Sequence, residues 1–87
     1  MRAAGIIEAV AEASGVSVDI ILGKRRYVRA ARARHVAMWA VRERMGWSYP
    51  RIGRVFNRDQ STVRNGCRRV SAALEKIGPT RSLVLAL

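Results

Sequence analysis

A chain of 87 residues, 49% of them apolar, makes one domain with a single small core; it is neither a disordered tail nor a multidomain assembly. Seventeen Lys and Arg against six acids give a net charge of +11, while one Cys and one His exclude an internal disulfide and a Cys/His metal site. No apolar run approaches the roughly eighteen residues a membrane span needs. Glu8 and Glu12 interrupt the N-terminal apolar positions where a secretory signal would be continuous, so a cytoplasmic protein is expected.

The apolar spacing predicts helices throughout. Ile6, Ile7, Val10 and Ala11 form one face of a first helix that ends near Ser14-Gly15. Ser17 is placed to cap a short second helix over Val18 to Leu22, with Asp19 in its first turn and Gly23 as its stop. A basic loop, Lys24-Arg25-Arg26-Tyr27-Val28-Arg29, leads into a long third helix. There Val36, Ala37, Ala40, Val41 and Met45 draw one stripe, with Arg32, Arg42 and Arg44 largely off it, and Gly46 ends it. Ser48 caps a short fourth helix with Pro50 in its first turn and Ile52, Val55 and Phe56 facing inward. After a tight Asn57-Arg58 turn, a last helix starts at about Asp59. Val63, Cys67, Val70, Leu74 and Ile77 line its inner face, which makes Cys67 a small buried thiol, and Gly78-Pro79 stops it. The expected fold is an all-α bundle of about five helices over residues 1–78, followed by a tail, 79–87. That tail's Leu83-Val84-Leu85-Ala86-Leu87 run is expected to fold back on the core or, alternatively, to dock on a partner.

Charge is not spread evenly along these elements. Residues 24–69 hold fourteen of the seventeen bases and only Glu43 and Asp59 among the acids, a local charge of +12, while the flanks sum to −1. A surface built only for solubility would intersperse its signs. Concentrated positive charge, with Arg outnumbering Lys fifteen to two, fits planar contacts to phosphate and guanine.

The short helix, tight turn and longer helix over 48–77 make a helix-turn-helix candidate. Its second helix opens with Arg58-Asp59-Gln60-Ser61-Thr62, all capable of reading a base edge in the major groove of double-stranded DNA. Asp59 or Ser61 could serve simply as an N-cap, but capping leaves Gln60 and Thr62 unexplained. In the basic stretch, Arg25 and Arg26 suit a minor groove, and Lys24, Arg32, Arg34 and His35 suit phosphate, although a solvated face is the plainer alternative. Ser48, Tyr49, Pro50, Arg51 and Arg64 complete the expected phosphate-contacting set.

Four segments together resemble a known family. They are Gly23-Lys24-Arg25-Arg26, Ala31-Arg32-Ala33-Arg34-His35-Val36-Ala37-Met38, Ser48-Tyr49-Pro50-Arg51-Ile52-Gly53 and Arg58-Asp59-Gln60-Ser61-Thr62-Val63. In order and spacing they look like the C-terminal DNA-binding domain (domain IV) of the bacterial replication initiator DnaA, from about Ile7 to Ile77. The resemblance implies a Trp-repressor-like fold, with a helix-turn-helix in the major groove and the basic loop in the adjacent minor groove. It implies that Arg26 is the minor-groove arginine, Arg34 and His35 the phosphate pair, Tyr49 and Pro50 backbone contacts, and Asp59 to Thr62 base readers. This sequence departs from the family at Gln60 (usually His), Ser61 (usually Thr), Ala33 (usually Pro) and in a turn one residue shorter than Gly-Gly-Arg. General DNA binding survives these changes, but recognition of the family's own box sequence does not follow from it.

The 87 residues contain no Walker A pattern, no acid pair, no Ser-His-Asp set and no Gly-rich phosphate loop, so neither an enzyme nor a small-molecule substrate or cofactor is expected. The leading expectation is a nucleoid-associated, stand-alone transcription regulator that works through a protein partner in the transcription or replication machinery. The alternative is an origin-binding accessory or competitor of the initiator. A basic module for acidic protein or RNA ranks third, because no aromatic platform for stacking bases is evident.

Overall fold

A computed structural model describes residues 2–77. They fold into five helices, α1 (Ala3–Ser14), α2 (Val18–Leu22), α3 (Val28–Met45), α4 (Tyr49–Phe56) and α5 (Gln60–Ile77), with no strand among the described residues. The all-α bundle with a helix-turn-helix is therefore observed. Ile77's side chain, the Gly78-Pro79 stop and the apolar tail lie outside the described residues.

Helix boundaries follow local chemistry. Gly15 and Gly46 adopt left-handed φ of 72° and 66°, so their N–H groups donate back into α1 and α3 as helix stops. The Ser17 and Ser48 hydroxyls accept the Ile20 and Arg51 N–H groups at 3.3 Å, capping α2 and α4.

The third helix is the spine: α1, α2, α4 and α5 all pack on it. Its buried row of Ala30, Ala33, Ala37 and Val41 is short enough to bring neighbouring helices close, and Met38 and Trp39 fill the gaps. Ile6, Ile7 and Val10 from α1, Ile21 from α2, Ile52 and Phe56 from α4, and Val63, Cys67 and Leu74 from α5 complete one core. At Gly66 the spacing is so tight that a Cβ would stand 2.9 Å from both His35 and Met38 side-chain atoms.

Three details differ from the sequence reading. The basic loop is shorter, because α3 begins at Val28, and Arg29 turns back to donate to the Ser14 carbonyl at 2.9 Å. Val55 is 42% exposed rather than inward-facing. The inward face of α4 is narrow, made of Ile52, Gly53 and Phe56, since Gly53 sits directly beneath the turn into α5. The buried face of α3 is also broader than expected and includes Arg34.

Gly53 sets how closely α4 and the turn approach. Its carbonyl accepts the Arg58 N–H at 2.9 Å, and a Cβ there would collide with the Arg58 carbonyl oxygen, a backbone atom that cannot swing aside. Gly53→Ala is expected to cost about 1–3 kcal/mol in urea unfolding. Gly5→Ala, whose Cβ meets nothing within 4 Å, should instead be neutral or stabilise α1 by up to about 1 kcal/mol.

Candidate nucleic-acid interface

The helix-turn-helix consists of α4, a turn and α5. Asn57 takes the left-handed conformation (φ 51°) that reverses the chain after α4. Asp59 is the N-cap of α5: its carboxylate accepts the Ser61 N–H at 3.1 Å and also the Ser61 hydroxyl. These two bonds, chiefly that from the hydroxyl, hold the Asp59 carboxyl below its ordinary pKa. Asp59 and Ser61 are thus partners of one another, and Asp59 keeps a second carboxylate oxygen toward solvent. Gln60 and Thr62 are exposed, and their side chains make no hydrogen bond to any described residue.

Farther along α5, the side opposite the buried Val63, Gly66, Cys67 and Leu74 carries Ser61, Asn65 and Arg68 at helical spacing, flanked by exposed Arg64. Attention to the helix start alone misses Asn65 and Arg68. The apolar stripe already legible in the sequence fixes the opposite face and so could have found them.

Beside the turn lies the basic loop. Lys24, Arg25 and Arg26 are exposed, as is Tyr27 at 47%, a single aromatic rather than a platform. Two guanidiniums converge on the backbone here. Arg34 is 6% exposed; its Nε donates to the Ile21 carbonyl at 2.7 Å and its Nη2 to the Ile20 and Arg25 carbonyls at 3.0 Å. Arg58 donates from Nη1 to the Phe56 and Asn57 carbonyls at 3.0 and 3.2 Å, and from Nη2 to the Gly23 carbonyl at 2.6 Å.

In the DNA-free domain both residues are held by the fold rather than projecting from it. Arg34, expected on phosphate, is buried and forked onto three carbonyls. Arg58, expected to read bases, also holds three. Hydrogen bonds from a charged donor contribute about 1.5–3 kcal/mol each. For Arg58, leaving three of them for one bidentate base contact, worth about 1–3 kcal/mol, is a losing exchange.

The other expected contacts sit on α3 and α4. Arg32 is exposed, and His35 is half-buried against α5. The Ser48 hydroxyl is the α4 cap, and Pro50 and Arg51 are exposed, with the Arg51 guanidinium 3.9 Å from the Trp47 ring centroid. Tyr49 is half-buried under Arg42, whose guanidinium lies 4.0 Å from its ring and donates to the Trp47 carbonyl at 2.7 Å. Pro50 and Arg54 of α4 share a shallow cleft with Asn57, Asp59 and Gln60, so the start of α4 and the start of α5 open onto one surface. Arg54 belongs to no motif, and nothing in the sequence pattern singles it out.

Comparison with known proteins agrees with this geometry. The family model described as bacterial dnaA protein helix-turn-helix matches residues 3–70, which cover α1 through most of α5. The chain belongs to the DnaA helix-turn-helix family. It is 40% identical over 79 residues to chromosomal replication initiator protein DnaA 2 of Chlamydia caviae, an alignment covering 91% of this chain and 17% of that protein. Identity is 40% over 72 residues to DnaA 1 of Chlamydia trachomatis (83% and 16%) and 36% over 72 residues to DnaA of Picosynechococcus (82% and 16%). The chain therefore spans about a sixth of the length of these relatives. It carries the DnaA-type DNA-binding helix-turn-helix, and no helix among the described residues is long and apolar enough to cross a membrane.

In this DnaA-type domain two further groups at α5, Cys67 and His35, are tuned by burial. Burial pushes the Cys67 thiol up to about 11, so it is an inert core thiol at neutral pH. His35 is held below its ordinary pKa first by burial, then by the positive charges of Arg69 and Arg34. Unfolding releases it to bind a proton more readily. The stability gained from neutral His35 is therefore complete above its unfolded pKa of about 6.5 and is lost as pH falls through the lower folded value. Between about pH 7.5 and pH 5 the melting temperature is expected to fall, and His35→Gln should flatten that slope. Parallel slopes in the two proteins would show that His35 is not the group responsible.

Proposed function

We propose that this chain binds double-stranded DNA sequence-specifically, with α5 in the major groove and the Lys24–Arg26 loop in the adjacent minor groove. The observation that carries this reading is that the free polar start of α5 and the exposed basic loop stand side by side, joined by Arg58. Gln60 offers adenine a bidentate amide, Asp59 keeps one oxygen for a cytosine amino group, and the Thr62 methyl suits thymine. Asn65 extends the same face. Arg25 and Arg26 enter the minor groove, where their charge is drawn to its negative potential. Lys24, Arg32, Ser48, Tyr49, Pro50, Arg51 and Arg64 flank these elements as backbone contacts, and neutral His35 contributes a hydrogen bond rather than a charge. The chemistry is recognition without catalysis, and no cofactor enters it.

Of the two biological settings open from sequence, the relatives favour replication-origin DNA, since the three named above are replication initiators. Nothing in the site itself favours transcription regulation over it. A protein partner from either machinery would act on a surface other than this one.

Selection from random duplexes followed by footprinting tests the reading, and protection of one groove alone would overturn it. With ~6–10 phosphate contacts, affinity for the selected duplex should drop about 10³–10⁵-fold between ~50 and ~200 mM salt, and a slope of only one or two ions would contradict the assigned surface. Gln60→Ala should cost roughly 1–3 kcal/mol on that duplex and relax preference at one base pair. Arg32→Ala should weaken all duplexes alike. An unchanged ranking of sites after Gln60→Ala would remove α5 from base reading.

A further inference from the structure

The basic loop has little to hold it to the reading helix. Its preceding element, α2, is five residues long and packs on α1 and α3, with little or no packing on α4 or α5. Arg34 fixes the near side of the loop to α3 through the Ile20, Ile21 and Arg25 carbonyls. Arg58 crosses from the turn of the helix-turn-helix to this stretch, at the Gly23 carbonyl immediately before Lys24. Its other nitrogen grips the Phe56 and Asn57 carbonyls at the turn itself, so one rigid planar group spans both reading elements.

We propose that Arg58 is a positioning residue that straps the minor-groove loop to the start of the recognition helix, so that both grooves are read by one pre-set unit. This rests on the DNA-binding reading above. The physical case is one of effective concentration. Once α5 is docked, loop binding is intramolecular, and its gain depends on the loop being held where the next groove will be. A short loop free to swing spends part of that gain on ordering. Arg58 supplies the order beforehand, because the carbonyls at the end of α2 have orphan lone pairs that a guanidinium fork satisfies. A lysine could reach one of the carbonyl sets but not span both. Charge alone therefore does not suffice.

A double-mutant cycle on the 87-residue chain tests this, using a duplex obtained by random selection. Arg58→Met is combined with Arg25→Ala/Arg26→Ala, and dissociation constants are measured at one salt concentration. In the intact-loop background Arg58→Met should weaken binding about tenfold, and in the loop-alanine background less than about twofold, a coupling of the size seen within one bonded network. Arg58→Lys should fail to restore affinity. A second readout replaces G·C pairs under the loop by inosine·C, which keeps the major-groove oxygen but removes the minor-groove amino group. The wild type should distinguish the two, and Arg58→Met should lose that distinction while keeping the base preference set by Gln60. Equal losses in both loop backgrounds, or full rescue by Lys, would overturn the proposal in favour of a direct charge contact with DNA. If Arg58→Met does not fold by thermal melting, the cycle is run with Arg58→Lys; failure of both to fold would also overturn it, making Arg58 a residue of the fold. A wild-type chain that binds no duplex would instead overturn the DNA reading itself.

Discussion

The structure depends on helix ends finding donors. Each helix finishes with carbonyls that have no partner within the helix, and in a domain with one small core they cannot all be left to water. Here arginines take several of them: Arg29 at the end of α1, Arg34 and Arg58 at and just beyond the end of α2, and Arg58 again at the end of α4, while Arg42 holds the Trp47 carbonyl in the link between α3 and α4. A guanidinium suits this work because its N–H groups lie in one plane and address several carbonyls at once, while its positive charge meets the negative end of the helix dipole. The result is a set of short helices joined at their ends as well as along their apolar faces.

That constraint explains how the reading surface is arranged. Residues bonded to carbonyls have part of their hydrogen-bonding capacity taken up by the fold, and residues between them are left free. Around the turn, Arg58 and Ser61 are committed to the fold, and Asp59 through one carboxylate oxygen only, whereas Gln60, Thr62 and Asn65 are not. Around the loop, Arg34 is committed and Lys24, Arg25 and Arg26 project. Under the proposed reading, specificity and stability fall largely to neighbouring residues, with Asp59 serving both.

Much of this is legible in the sequence, and the rest is hidden for identifiable reasons. Glycine stops, serine caps and the Val63–Cys67–Leu74 stripe are local signals, and they place every helix within a residue or two. Val55 misleads because four apolar positions on an eight-residue helix do not fix which edge faces in; the close approach at Gly53 decides it. Arg34 misleads for a different reason. It stands among Ala30, Ala37, Met38 and Val41 on α3, but alanines weigh little in an apolar pattern, so the stripe is read elsewhere. The carbonyls that draw Arg34 and Arg58 inward belong largely to residues many positions away, and backbone acceptors leave no mark in a sequence.

The arginines turned inward are not lost to an incoming polyanion. A guanidinium bonded to neutral carbonyls keeps its full charge at neutral pH: burial, then the neighbouring Arg58 charge, lowers the Arg34 pKa, but an arginine starts so far above neutrality that it stays protonated. Electrostatic potential reaches about 10 Å at moderate ionic strength, well beyond a hydrogen bond and a large part of the way across a molecule whose longest extent is 32 Å. Groups that never touch a phosphate therefore still draw it in and raise the rate of encounter. In this chain the charges that join the helices also attract from a distance, so association kinetics would register residues that no footprint reveals.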